Sequence, residues 1–293
     1  MRIVFIGAVE FSRRALECLI EINANIVGVC TLKESKFNAD HVDLNNLSDR
    51  HEIPCLYAED INSSKTLSWI QEKEPDVIFC FGWSRLIKIR LLNCASLGVI
   101  GFHPTALPAN RGRHPLIWAL VLGLKNTAST FFFMDAEADS GDILSQYAIK
   151  ITENDNALSL YQKVTQTALQ QIKEFLPQLE GGTFNRYTQE QGLANIWRKR
   201  KSGDGKIDWR MSANSIHDLV RGLSKPYVGA HFVTNAQEIK VWTTRIITDV
   251  PRNIEPGKVF TQIDSVPVVK CGEDAICLLA IEPSFELIEG SYL

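Results

Sequence analysis

Two short stretches of this chain concentrate side chains that can move protons or steady a growing charge. The first runs Ile100-Gly101-Phe102-His103-Pro104-Thr105-Ala106-Leu107-Pro108-Ala109-Asn110-Arg111-Gly112-Arg113-His114-Pro115. Pro104 and Pro108 fix φ and stiffen it. A histidine on so rigid a loop can serve as an acid, a base or a donor to an oxyanion. The second, Met134-Asp135-Ala136-Glu137-Ala138-Asp139-Ser140-Gly141-Asp142, packs four acids into eight residues. That density also suits a solvated turn or a metal loop, although the Asp-x-Asp-x-Asp-Gly spacing of a calcium site is absent. An aspartate of the second loop meeting the imidazole of the first would fix its tautomer and stabilise its cation. No nucleophile stands beside them, so the attacking group would be the substrate's own. The Gly-x-Ser-x-Gly elbow of α/β-hydrolases does not occur. Gly-x-Gly-x-x-Gly is also absent, and Gly203-Asp204-Gly205-Lys206 lacks the spacing of a phosphate loop.

The elements around these loops read as a doubly wound, mostly parallel α/β sheet. Apolar, β-branched runs predict strands at Arg2–Ile6, Asn25–Leu32, Ile53–Tyr57, Val77–Phe81, Gly98–Phe102, Ser129–Met134 and Asp142–Ile149. Helical spacing falls between them at Phe11–Ile22, Leu44–Arg50, Ser64–Gln71, Ile87–Cys94, Pro115–Leu124 and Asp155–Leu179. Strands separated by helices imply parallel pairing, with ligands at the carboxyl ends of the strands. Both chemical loops open at such ends. Gly181-Gly182 marks a break, and 181–203 reads as a linker or strap. One helix, Ala213–Leu223, precedes short strands at Ala230–Thr234, Glu238–Thr243, Gly257–Thr261, Val266–Lys270 and Ala275–Ile281, a pattern that suggests a small β-barrel. The expected organisation is a catalytic domain over 1–180, a linker over 181–203 and a β-rich domain over 204–293.

The chain has 293 residues, 45% hydrophobic and 22% charged, which excludes a disordered chain. No apolar run reaches a membrane span, and the N-terminal apolar run is too short for a signal peptide, so a cytoplasmic protein is expected. Net charge is −3, and the residues from Lys201 onward carry ten basic and twelve acidic side chains, a net of −2. Nucleic-acid binders carry a basic face, so no nucleic acid is expected; the run Arg198-Lys199-Arg200-Lys201 reads as a solvated loop. Seven cysteines without a Cys-x-x-Cys pair read as buried reduced thiols, and no zinc spacing occurs.

The stretch from His103 to Gly112 resembles the His-x-[Ser/Thr]-x-Leu-Pro-x-x-Arg-Gly signature of the 10-formyltetrahydrofolate-dependent formyltransferases. Asp139-Ser140-Gly141-Asp142 resembles that family's Asp-Thr-Gly-Asp element, 36 residues beyond His103. Phe81 through Ile87 resembles the loop lining its pterin pocket, and Asp204 through Trp209, with Ile216-His217 and Arg221 through Ala230, resembles its C-terminal domain. The resemblance implies a 10-formyltetrahydrofolate cosubstrate and no metal, with His103 and Asp139 catalytic. Trp83, Ser84, Arg85, Leu86, Ile87, Met134, Asp135 and Asp139 would hold the folate. Glu10, Phe11, Arg13, Asn110, Arg111 and His114 would meet the acceptor.

Within the family, Asn110 through Gly123 looks like sugar N-formyltransferases, which formylate a nucleotide-linked amino-deoxy sugar in surface-glycan pathways, pseudaminic acid among them. Methionyl-tRNA formyltransferase is the alternative, and a homodimer is expected by analogy. One position departs: the family's Asn two residues before the histidine is Gly101 here. That opens a further alternative, a folate- or nucleotide-sugar-binding protein without activity.

Overall fold

A computed structural model of the chain describes residues 1–35, 39–284 and 286–293. In order, the elements are β1 (Ile3–Ile6), α1 (Glu10–Glu21), β2 (Ile26–Thr31), α2 (Asn45–Arg50), β3 (Cys55–Tyr57), α3 (Ser64–Gln71), β4 (Val77–Cys80), α4 (Ile89–Leu92), β5 (Val99–His103) and β6 (Arg111–Gly112). There follow α5 (Pro115–Val121), β7 (Asn126–Phe133), β8 (Ile143–Lys150), α6 (Ala157–Gly181), β9 (Ile196–Trp197), α7 (Ala213–Gly222), β10 (Ala230–Thr234), β11 (Gln237–Ile247), β12 (Val259–Ile263), β13 (Val266–Lys270) and β14 (Ala275–Glu282). The chain divides into two compact units, one of residues 1–112, 127–149 and 162–197, the other of 113–126, 150–161 and 198–293.

The first unit is built on a seven-stranded sheet in the order β3-β2-β1-β4-β5-β7-β8. Strands β1 to β5 pair in parallel, as their continuous apolar runs require when both faces are covered. The order reverses between β1 and β4, the switch point at which such sheets open a crevice. Strand β7 departs from the parallel expectation: it runs antiparallel to β5, opposing Thr130 to His103 and Phe132 to Gly101. Phe5, Phe79, Phe81 and Phe131 are fully buried, and the Phe81–Phe131 rings lie 5.1 Å apart. Each such side chain contributes about 1.5–3 kcal/mol by leaving water. At the switch point Ser12, wholly buried, donates Oγ to Phe81 O at 2.6 Å and accepts from Ala8 N at 3.1 Å, tying the start of α1 to the end of β4. The stretch expected as a linker belongs to this unit as far as residue 197. It pairs with the body through Tyr187–Ile143 and through β6–β9, too short for any hydrophobic pattern to reveal.

The second unit carries a five-stranded antiparallel sheet, β10-β11-β14-β13-β12. Helices α5 and α7 belong with it, Ile117, Ile216, Leu219 and Val220 sharing one buried cluster with Trp209 and Phe232. The basic run is exposed at Arg198, Lys199 and Lys201, as expected of a solvated loop, but not at Arg200. Arg200 is 8% exposed and lies 4.6 Å over the Trp118 ring, while Arg198 forks to Asp204 at 2.6 and 2.7 Å. All seven cysteines are free, and burial pushes the Cys80 and Cys271 thiols up to about 12. Among the described residues no helix is long and apolar enough to cross a membrane.

Candidate active site

His103 ends β5, and its imidazole is 7% exposed. Its ring has an oxygen at each nitrogen. Nε2 lies 2.9 Å from the Asn110 carbonyl, and Nδ1 lies 3.7 Å from Asp139 Oδ2. A carbonyl only accepts, so Nε2 carries the proton. Nδ1 faces the carboxylate across an ion-pair distance, beyond hydrogen-bond reach. A ring protonated at both nitrogens therefore has an acceptor waiting at each. Asp139 Oδ2 accepts the Gly112 N–H at 2.9 Å. Thus the two motifs that sequence alone associates only by interval converge at one strand end.

The local backbone explains the convergence. Asn110 and Asp139 both adopt left-handed conformations, φ 66° and 59°, which these side chains tolerate better than most. Asp139 turns inward at the end of a loop that is otherwise exposed from Asp135 to Ala138. Asp135 Oδ1 accepts from Glu137 N at 3.0 Å and from Ser140 Oγ at 2.6 Å. The acidic loop is therefore a turn braced by Asp135 that delivers one carboxylate to the histidine. Among the described residues no group of His, Cys, Asp and Glu could hold a metal ion.

Gly101, two residues before His103 on the same face of β5, has no room for a side chain at rest. A Cβ there would meet Met134 Cγ at 2.9 Å, Met134 Sδ at 3.1 Å and Phe132 Cε1 at 3.1 Å. The Met134 side chain covers the place from which an asparagine would reach forward. Met134 and Asp135 also border a cleft of about 440 Å³, walled by Leu92, Val99, Phe133 and Arg186 among others. Trp83 packs with Met134 against the cluster of Ile87, Leu91 and Val99, and its indole Nε1 is buried without an acceptor. Ile87 is 2% exposed and is a core residue, whereas Leu86 is 62% exposed. Asn62 bridges this segment, donating to Leu86 O at 2.9 Å and accepting from Lys88 N at 2.8 Å, while Arg85 donates to Glu59 O and Ser84 is half-buried.

The residues expected at the acceptor are not gathered in this way. Phe11 is 5% exposed and stacks on Phe102 at 4.2 Å, so it is a core aromatic. Arg13 is held between Glu10 and Glu17, which neutralise it on the surface of α1. Arg111, expected to meet the acceptor, forks to glutamine: Nη2 donates to Gln189 Oε1 at 2.6 Å and Nη1 to Gln191 Oε1 at 2.9 Å. Asn110 N donates to Asn195 Oδ1 at 2.7 Å. His114, in the second unit, caps α5 with a left-handed φ of 56°. Its Nδ1 is buried and unpaired, and burial, then Lys199, Arg113 and Arg200, depress its pKa. Gln189, Gln191 and Asn195 drew no attention as sequence, because polar residues in a polar strap carry no pattern.

Comparison with known proteins gives a consistent picture. Residues 1–176 match the family described as Formyl transferase, and 199–286 match Formyl transferase, C-terminal domain. The chain is 32% identical over 251 residues to the bifunctional polymyxin resistance protein ArnA of Wigglesworthia glossinidia brevipalpis, covering 84% of this chain and 38% of that much longer protein. It is 30% identical over 288 residues to methionyl-tRNA formyltransferase of Staphylococcus epidermidis, covering 97% of this chain and 92% of the relative. Among solved structures, WlaRD, a sugar 3N-formyl transferase determined with dTDP and 5-N-formyl-THF, shares the fold at a TM-score of 0.74 and 16% identity, covering 97% of this chain and 99% of its own.

Proposed function

Since this chain belongs to the formyl transferase family, we propose that it moves the formyl group of 10-formyltetrahydrofolate onto the amine of a nucleotide-linked amino-deoxy sugar. The observation that carries the reading is the His103–Asp139 pair, 3.7 Å apart with the Gly112 N–H between the loops. The neutral amine attacks the formyl carbon, the bond from that carbon to the folate nitrogen breaks, and a proton passes from the amine to the leaving nitrogen. His103 faces the reacting groups through Nε2, the nitrogen that donates to the Asn110 carbonyl at rest; protonated at both nitrogens, the ring gives its Nε2 proton to the leaving folate nitrogen and takes the amine's proton in its place at Nε2. Asp139 backs Nδ1 and stabilises the cationic ring. Catalysis then comes from positioning and pre-aimed charge, with no covalent enzyme intermediate. The unpaired Trp83 indole, packed with Met134 on the same cluster, supports a flat heterocycle rich in acceptors, which is the chemistry of a pterin.

The acceptor rests on charge: a net of −2 from Lys201 onward is ill suited to a polyanion. UDP- and dTDP-linked amino sugars of surface-glycan pathways, including those of pseudaminic acid, are the acceptors we favour. Near-complete alignment with a methionyl-tRNA formyltransferase supports that acceptor as the second reading. Formyl transfer measured side by side on UDP- and dTDP-amino sugars and on methionyl-tRNA separates the two. No transfer to either, with folate-analogue binding retained by calorimetry, would make the chain a binding protein. With the accepted substrate, His103→Ala lowers kcat about 100- to 10,000-fold; wild-type turnover in that variant would end the catalytic assignment.

A further inference from the structure

Gln189 is 3% exposed, and its carboxamide has no hydrogen-bonding position to spare. Oε1 accepts from Arg111 Nη2 at 2.6 Å and from Arg111 Nε at 3.2 Å. Nε2 donates to Gly141 O at 2.7 Å and to Asp139 O at 2.9 Å. A carboxamide offers two donor protons and two acceptor lone pairs, and all four are used between the two motif loops. On one side the brace grips the side chain of Arg111, which stands between Asn110 and Gly112. Those two neighbours make the contacts that set the pair: the Asn110 carbonyl takes His103 Nε2, and the Gly112 N–H takes Asp139 Oδ2. On the other side it grips the carbonyl of Asp139 itself, at the residue whose φ of 59° turns the carboxylate inward.

Charge makes the arrangement more pointed. Arg111 is 6% exposed, and among the described residues no carboxylate lies within ion-pair distance of it. A buried cation left to neutral amides is costly, and an acid at position 189 would relieve it. An acid would also aim two oxygens at two carbonyls. The neutral amide is the side chain that satisfies Arg111 and both carbonyls at once.

We propose that Gln189 is a positioning residue for formyl transfer, holding the His103 and Asp139 loops at the spacing the proton relay needs. This rests on the His103–Asp139 reading given above. The competing role is a purely structural one, in which Gln189 serves only to anchor Arg111.

Gln189→Glu separates the two, because it keeps an acceptor for Arg111 and removes both donors. Expected is a folded variant whose kcat falls about 10- to 100-fold, the scale of a small misplacement of catalytic groups. The KM values for folate and acceptor stay near those of the wild type, and the acid limb of the kcat/KM profile moves. Gln191→Met removes only an exposed partner of Arg111, which solvent replaces, and leaves kcat within about twofold. Nitrogen-15 NMR of the His103 ring needs no substrate; its Nδ1 and Nε2 shifts change in Gln189→Glu and not in Gln191→Met. Should the wild type accept none of the tested amines, the ring spectra still decide the positioning role. Wild-type kcat, pH profile and ring shifts in Gln189→Glu would overturn it, and so would an equal loss in Gln191→Met. If Gln189→Glu fails to fold, the apolar isostere Gln189→Met is judged by the same measurements, and failure of both to fold assigns the residue to folding instead.

Discussion

Met134 lies over Gly101 closely enough that the two positions must be considered together. Without a Cβ at 101 the thioether settles against the strand beside His103. Adding one methyl in Gly101→Ala forces Met134 or Phe132 to move, and overpacking of this kind costs about 1–3 kcal/mol. Differential scanning calorimetry of the variant is expected to show a lower Tm, by about 2–4 °C per kcal/mol in a chain of this size. Met134→Ala in the same molecule recovers part of that loss, the coupling expected of touching side chains. Additive melting shifts would mean that the two positions do not share the space. The residue types of the site were readable in advance, since a histidine followed by two stiffening prolines and an aspartate in an acidic turn stand out by chemistry. Phe11 and Arg111 were not, because an aromatic and a guanidinium look alike in sequence whether they meet a substrate or a core.

Among the elements, the least legible proved decisive. The two-residue pair β6–β9 has no periodicity, yet it threads the strap past the histidine loop. Gly112 has φ 105°, and a Cβ on it would lie 2.3 Å from Trp197 O. Gly112→Ala therefore strains the backbone and parts the pair, at about 1–3 kcal/mol or more. Since the Gly112 N–H also holds Asp139, kcat is expected to fall along with thermal stability; an unchanged kcat with a lowered Tm would uncouple strap from site. The long strands and helices were legible because apolar runs and helical stripes follow burial directly. The reversed direction of β7 was not, because one strand's composition says little about which way its neighbour runs. Nor was the burial of Arg200, since a stack on Trp118 depends on a partner 82 positions away.

Across the whole molecule, titration should fall unevenly. His114, His217 and His231 all lie in the second unit, and burial depresses the pKa of each below the ordinary 6.5. As pH falls through 6.5 the unfolded chain takes up protons that the folded unit refuses, so stability present above that value drains away below it. Melts at pH 7.5 and pH 5.5 are expected to show the loss, and His217→Gln, which keeps a partner for Thr244 Oγ1, reduces it. A flat profile would place the acid sensitivity elsewhere.

The chain passes between its two units five times, and α5, encoded early, shares a buried cluster with Ile216 and Leu219, encoded late. Cutting the gene at the glycine pair near residue 181 would therefore not free a tidy catalytic fragment. Ile117 would be stripped of Ile216 and Leu219 and laid bare to water, a raw greasy stub that invites clumping. Anyone grafting a different tail onto this protein must carry a matching version of that one early helix along with it.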